Sequence, residues 1–331
     1  MIGKWIDKRT FRSTIALAAI TTFFDLAVPS SALAQAYPSR PVHFILPFPS
    51  GPTDITIRLY AQQLAQDWKQ PAVVENRPGA TGTIGTEVVA KAAPDGYTLL
   101  FTVDLPITMA PNLMKVPYDP QRDLIPVAAV VESTNVLVVN AASKIHSLAE
   151  LVAAAKAKPG TLTYASAGNG SPGHLCGAML AKQAGVDMIH VPYSGAAPAM
   201  NALLAGNVTM FCSPIQQALP QIKAGTLVPL GVASETDSPL LPGLAPLTKT
   251  YPGLVLSQWF GVMAPAGTPP TVTNAIEAEF KKISAEPDIK AKLTAMGLQP
   301  EWIAGPELAN RIAKDTVNIR HFIAAANIHA E

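Results

Sequence analysis

Gly168, Gly170 and Gly173 punctuate the stretch TYASAGNGSPGHL (residues 163–175), with Ser166, Asn169, Ser171 and His174 set among them. Glycines at a strand-to-helix turn let backbone amides come close to a ligand's oxygens, and three chemistries use such a turn. A dinucleotide site also needs an acidic residue about twenty positions further on, at the end of the next strand, to hold a ribose hydroxyl. That strand, MIHVPYS, ends in Tyr193 and Ser194 instead. A serine nucleophile elbow needs a glycine where Asn169 stands, and a carboxylate to orient His174 as base. The third chemistry is anion capture, in which free N–H groups at a helix start and the Ser166 and Ser171 hydroxyls face a negatively charged group.

Two further turns share that chemistry. PFPSGPTDI places Ser50, Gly51 and Thr53 between a strand and a helix, with Thr53 or Asp54 as N-cap, and VPYSGAAPAM places Ser194 and Gly195 before another helix. One such turn is an ordinary capped helix start. Three in one chain, two of them facing each other across a cleft, favour a ligand bearing carboxylates held by neutral donors. A secreted serine hydrolase using Ser171 and His174 is the rival from another class.

The elements that must position these turns alternate in α/β order. VHFILPFP, AVVENRP and YTLLFTV read as strands, separated by the helices DITIRLYAQQLAQDW and TIGTEVVAKAA. LIPVAAVVES and VLVVN follow as two strands, then the helix SLAELVAAAKAKP. The pattern restarts with LTYASA, HLCGAMLAKQAG, MIHVPYS, APAMNALLAGN, VTMFCSP, QALPQIKAG and VPLGVAS. After SQWFGVMAPAGTPP come helices near 270–285, 287–296 and 306–327. Near-continuous apolar strands imply a sheet covered on both faces. The restart implies two similar lobes, with the C-terminal segment returning to the first. The expected division is 37–137 for the first part of lobe 1, 138–258 for lobe 2 and 259–331 for the return. The 31 prolines fall mostly in connections and stiffen them.

At 331 residues with 49% hydrophobic content, the chain has material for two packed cores. Only 14% of residues are charged and the net charge is +1, which argues against nucleic acid or a polybasic membrane surface as partner. Residues 1–36 read as a secretory signal. Lys4, Lys8, Arg9 and Arg12 precede an apolar run, and small residues lead to cleavage near Ala34 or Ala36. The apolar run is about a dozen residues, short of the roughly twenty that span a bilayer. Export to the periplasm permits a Cys176–Cys212 bridge, but both cysteines lie in small apolar contexts, and two buried thiols are the favoured reading. The six histidines are scattered, without metal-ligand spacing, and no cofactor is expected.

The stretches YPSRPVHFILPFPSGPTDITIR, VVENRPGATGTIGTEVVAKAAPDGYTLL, VPYDPQRDL, KPGTLTYASAGNGSPGHL, HVPYSGAAPAMNALLAG, LPQIKAG and WFGVMAPAGTPP occur in that order over nearly the whole mature chain. In this succession the chain resembles the Bug-type periplasmic solute-binding proteins of tripartite tricarboxylate transporters. The resemblance implies a two-lobed α/β periplasmic-binding-protein fold of the second type, with a ligand cleft between the lobes and no catalysis. It implies a small organic acid as ligand, be it a dicarboxylate, a tricarboxylate or an aromatic carboxylate, and membrane permease subunits as partners. A sensor role toward a membrane kinase is the alternative within the same fold.

Carried over by position, the first loop contributes Phe48, Ser50, Gly51, Thr53 and Asp54. The second lobe contributes Ser166, Gly168, Asn169, Gly170, Ser171 and His174, joined by Tyr193, Gly195 and Cys212. Three departures from the family pattern bear on the ligand. The first loop has Gly51 alone where two or more glycines are usual, and it is one residue shorter. Cys212 replaces an aspartate that meets polar ligand groups, so poor binding of aspartate or glutamate is expected. Pro172 removes a backbone donor just before His174.

Overall fold

The structure, a computed structural model, describes residues 37–325, so the signal segment expected over residues 1–36 lies outside the described residues. The first strands and helices are β1 (Val42–Leu46), α1 (Pro52–Trp68), β2 (Ala72–Asn76), α2 (Thr83–Ala90) and β3 (Thr98–Val103). A π-helical turn over Leu105–Met109 leads to the short helices α3 (Ala110–Leu113) and α4 (Pro120–Asp123). Then come β4 (Leu124–Asn140), α5 (Leu148–Ala157), β5 (Thr163–Ser166), α6 (Pro172–Ala184), β6 (Ile189–Pro192), α7 (Ala196–Leu204) and β7 (Met210–Pro214). The chain continues through α8 (Ile215–Lys223), β8 (Leu227–Val232), β9 (Ser257–Pro265), α9 (Pro270–Ala285), α10 (Pro287–Ala295), β10 (Gln299–Ala304) and α11 (Gly305–Ala325).

The strands run in the order β2-β1-β3-β9-β4-β7-β5-β6, with β8 and β10 also paired to β4. β1 is parallel to β2 and β3, and β5 is parallel to β6 and β7. Strands of each parallel group therefore send their following loops to one end, where a ligand can meet helix N-termini.

β4 joins the two groups. Its residues Leu124 to Thr134 run antiparallel to β9, and Asn135 to Val139 run antiparallel to β7. The runs LIPVAAVVES and VLVVN, expected as two strands, are one strand of 17 residues. The polar residues at the join continue it because each has a partner: Thr134 Oγ1 donates to the Ala233 carbonyl at 3.3 Å and Asn135 Nδ2 to that of Leu256 at 2.7 Å. A strand over Gln299–Ala304 is not expected from its sequence, since Pro300 and Glu301 are unfavourable strand residues. It pairs with β4 alone, and its register shifts between Pro300 and Ile303.

Packing follows the apolar pattern. Phe44, Phe101, Tyr60 and Phe280 are fully buried in one cluster, where the Tyr60 and Phe280 rings stack at 5.3 Å and tie α9 to α1. Leu137, Val139, Leu175, Cys176 and Met210 pack in a second cluster around α6 and β7. There the cysteine expectation is corrected: Cys176 and Cys212 form a disulfide, with their Cα atoms 6.1 Å apart. The physical reason is the closeness of α6 to the strands beneath it. A β-carbon at Gly173 would lie 3.0 Å from the Phe211 ring, and one at Gly177 would overlap the Tyr164 ring. The two glycines let α6 settle until Cys176 reaches Cys212.

Candidate functional site

The loop from β5 to α6 is shaped by glycine. Gly168 and Gly170 take φ values of +121° and +72°, which side-chain-bearing residues rarely adopt. Ser171 is the N-cap of α6, yet its side chain makes no capping bond and its Oγ is buried without a hydrogen-bond partner. Pro172 occupies the first helical position, where its missing N–H would have no intrahelical acceptor anyway. The Leu175 amide closes onto the Ser171 carbonyl, leaving those of Gly173 and His174 without an intrahelical acceptor. A hydroxyl and two amides at a helix start are the neutral donors that an anion's oxygens can use, and the partial positive charge there favours such a group.

Ser166 serves the loop's own shape. Its Oγ lies 2.6 Å from His190 Nε2, accepts from the Gly168 amide at 3.1 Å and donates to the Gly168 carbonyl at 3.0 Å. With the hydroxyl proton on the Gly168 carbonyl, His190 must donate through Nε2. His174 Nδ1 accepts the Gly170 amide at 3.1 Å, and its ring stacks on that of His190 at 3.8 Å and 5°. Burial lowers the pKa of His174, and burial followed by repulsion from His174 lowers that of His190 to about 4. The neutral His174 therefore carries its proton on Nε2, and the stack braces the loop without adding charge.

A cavity of about 480 Å³ opens beside this loop, within the range of small-ligand sites. Of the residues expected from sequence, Asn169, Gly170, Ser171 and Cys212 line it. Thr81, Leu105, Leu113, Met114, Asn135, Phe211, Pro214 and Gln258 also line it and were not anticipated. A signal existed for three of them: Thr81 belongs to the glycine-rich turn RPGATG before α2, and Asn135 and Gln258 are polar residues set in apolar strands.

The other expected residues are not in its lining. Gly51 caps α1, with Pro52 at the first position and the Ile55 amide bonded to the Gly51 carbonyl at 2.9 Å. Phe48 is half-buried against Gly82, and Ser50 is exposed. Thr53 is half-buried in the first turn of α1. Asp54 is buried and accepts from Arg58 Nε at 3.0 Å and Asn76 Nδ2 at 2.9 Å. Burial pushes its pKa up, but these hydrogen bonds outweigh burial and hold the carboxyl below its usual value. Asn76 also donates to the Phe48 carbonyl at 3.0 Å, so Asp54 and Asn76 fasten the first loop to β2. On the other side, the Tyr193 amide donates to the Ser166 carbonyl at 3.0 Å and Gly195 caps α7.

Charge lies behind the cavity. Arg311 on α11 contacts Glu132 at 2.8 Å, Ser257 Oγ at 2.8 Å and Asp315 at 3.4 Å. Asp104 is held up to a pKa of about 7, by burial first and then by Asp315, with Arg311 and a Gln258 hydrogen bond opposing. Gln258 thus links this cluster to the cavity wall. Among the described residues, no group of His, Cys, Asp and Glu is placed to hold a metal ion, and no helix is long and apolar enough to cross a membrane.

Residues 56–328 match the model of the tripartite tricarboxylate transporter family receptor. The chain is 36% identical to protein BugT of Bordetella pertussis, over 91% of this chain and 94% of that one. The periplasmic binding protein BugD superposes with a TM-score of 0.73 at 31% identity, covering 89% of this chain and all (100%) of that one. An R. palustris protein solved with adipate superposes with a TM-score of 0.76 at 29% identity, covering 88% of this chain and 99% of that one. The α/β chain with the sheet described above accordingly has the two-lobed fold of the periplasmic binding proteins. The chain belongs to the tripartite tricarboxylate transporter receptor family, a family of solute-binding receptors.

Proposed function

We propose that the mature chain captures a small carboxylate in the periplasm and delivers it to the membrane subunits of a tripartite transporter, without catalysis. One observation carries the reading: the buried, unpartnered Ser171 Oγ stands beside amides at the start of α6 on a cavity of about 480 Å³. Hydrogen bonds to an ionised carboxylate each contribute on the order of 1.5 to 3 kcal/mol, so three of them approach the ~8 kcal/mol of micromolar binding. The adipate bound to the R. palustris neighbour supports the ligand class.

In this proposal residues 1–36 are removed on export, and the lobes divide as 37–137, 138–258 and 259–331. Support for the division is that β4 changes partners between Thr134 and Asn135 and β9 opens at Ser257. The arrangement around Ser171 disfavours a hydrolase. With Nδ1 accepting the Gly170 amide, neutral His174 carries its proton on the nitrogen that a triad would use as base.

A thermal-shift screen over aliphatic and aromatic acids tests the proposal. At least one acid at millimolar concentration raises the melting temperature of wild type and raises it less in Ser171→Ala. A library without effect, or ester hydrolysis lost in Ser171→Ala, overturns it.

A further inference from the structure

Asn135 stands where β4 passes from β9 to β7 and is only 1% exposed, yet it contributes to the cavity lining. Its Nδ2 donates to the Leu256 carbonyl at 2.7 Å, which fixes the side-chain orientation because a carbonyl can only accept. Oδ1 is thereby left buried without a hydrogen-bond partner. It is the polar atom that Asn135 has available for a ligand, and it accepts hydrogen bonds without donating them.

Ser171 Oγ is likewise buried and unpartnered, and it can donate. The lining also includes the neutral polar side chains of Thr81, Asn169 and Gln258 and the apolar ones of Leu105, Leu113, Met114, Phe211 and Pro214, and no Asp, Glu, Lys, Arg or His. Cys212 contributes a disulfide sulfur, so it offers no ionisable thiol. Each feature restricts the ligand. An ammonium group would find no carboxylate, and a second carboxylate reaching Asn135 would set its lone pairs against Oδ1. A hydroxyl would satisfy Oδ1, and an apolar body would match the wall.

We infer that this receptor is selective for a monocarboxylate whose apolar body carries a hydroxyl. The carboxylate lies at the start of α6 and the hydroxyl donates to Asn135 Oδ1. This inference rests on the carboxylate-receptor reading and names the ligand class for that site. Asn135 is then the specificity-determining residue, reading the presence of a donor through Oδ1, an atom that can only accept.

Isothermal titration of the mature chain with matched acids tests it: 4-hydroxybenzoate against benzoate and mandelate against phenylacetate, with adipate and succinate as dicarboxylate controls. In at least one aromatic pair the hydroxylated acid binds about ten-fold tighter, the scale of one buried hydrogen bond. Adipate and succinate bind more weakly than that acid. In Asn135→Ala the preference falls below about three-fold, while the wild-type pairs decide the matter should that variant fail to fold. Equal binding within both aromatic pairs, or a preference that survives in folded Asn135→Ala, overturns the hydroxyl assignment and leaves the carboxylate receptor standing. Absence of binding by every acid overturns both.

Discussion

Opening the Cys176–Cys212 bridge perturbs the wall of the candidate site and the stability of the chain together. The cysteines are 36 positions apart. Closing a loop of that length removes unfolded-chain entropy worth roughly 4 kcal/mol at room temperature. At about 2 °C per kcal/mol for a domain of this size, the double variant Cys176→Ala, Cys212→Ala should melt about 8 °C below wild type. Both sulfurs are buried, so reduction of the native protein should be slow unless denaturant is added. Melting curves followed by circular dichroism, with and without reductant, give the readout, and mass analysis after alkylation counts free thiols. Coincident melts, or two free thiols in protein folded under oxidising conditions, would refute the reasoning. The same bridge holds α6 against β7, so the double variant should also bind its ligand more weakly.

Gly170→Val places a β-branched residue at a φ of +72°, with its β-carbon 2.5 Å from Leu113 Cδ1, and should abolish stabilisation by carboxylates; stabilisation equal to wild type would remove this loop from the site. Ser171→Ala removes a hydroxyl that has no structural partner, so it should leave the melting temperature within about 2 °C while weakening carboxylate binding about ten-fold by calorimetry. Folded Asp104 keeps its proton up to about pH 7, whereas the unfolded chain loses it near 4. The native state binds more protons between those values, so the stability from this group is complete below about pH 4 and is lost as pH rises through 7. Asp104→Asn should therefore match wild type near pH 4 and exceed it by a few kcal/mol at pH 8, and a difference independent of pH in denaturant titrations would contradict this.

Much of the fold was legible because periodicity reports burial. VHFIL and TLLFTV are near-continuous apolar runs, and both form strands that are mostly buried. The loop of the candidate site was legible where backbone conformation needs glycine, as at Gly168 and Gly170. The remainder depends on contacts remote in sequence. Met114 and Gln258 meet on one cavity although 144 positions separate them in the chain. Asp54 lies in a suggestive turn, but its bond to Asn76 is set by how α1 packs on β2. The bridge from Cys176 to Cys212 likewise follows from the close seat of α6, which composition does not reveal.

A crystal structure with the tightest-binding acid tests the central claim most directly. One carboxylate should accept hydrogen bonds from Ser171 Oγ and from the amides of Gly173 and His174. A carboxylate seated away from the start of α6, with Ser171 Oγ still unpartnered, would contradict it.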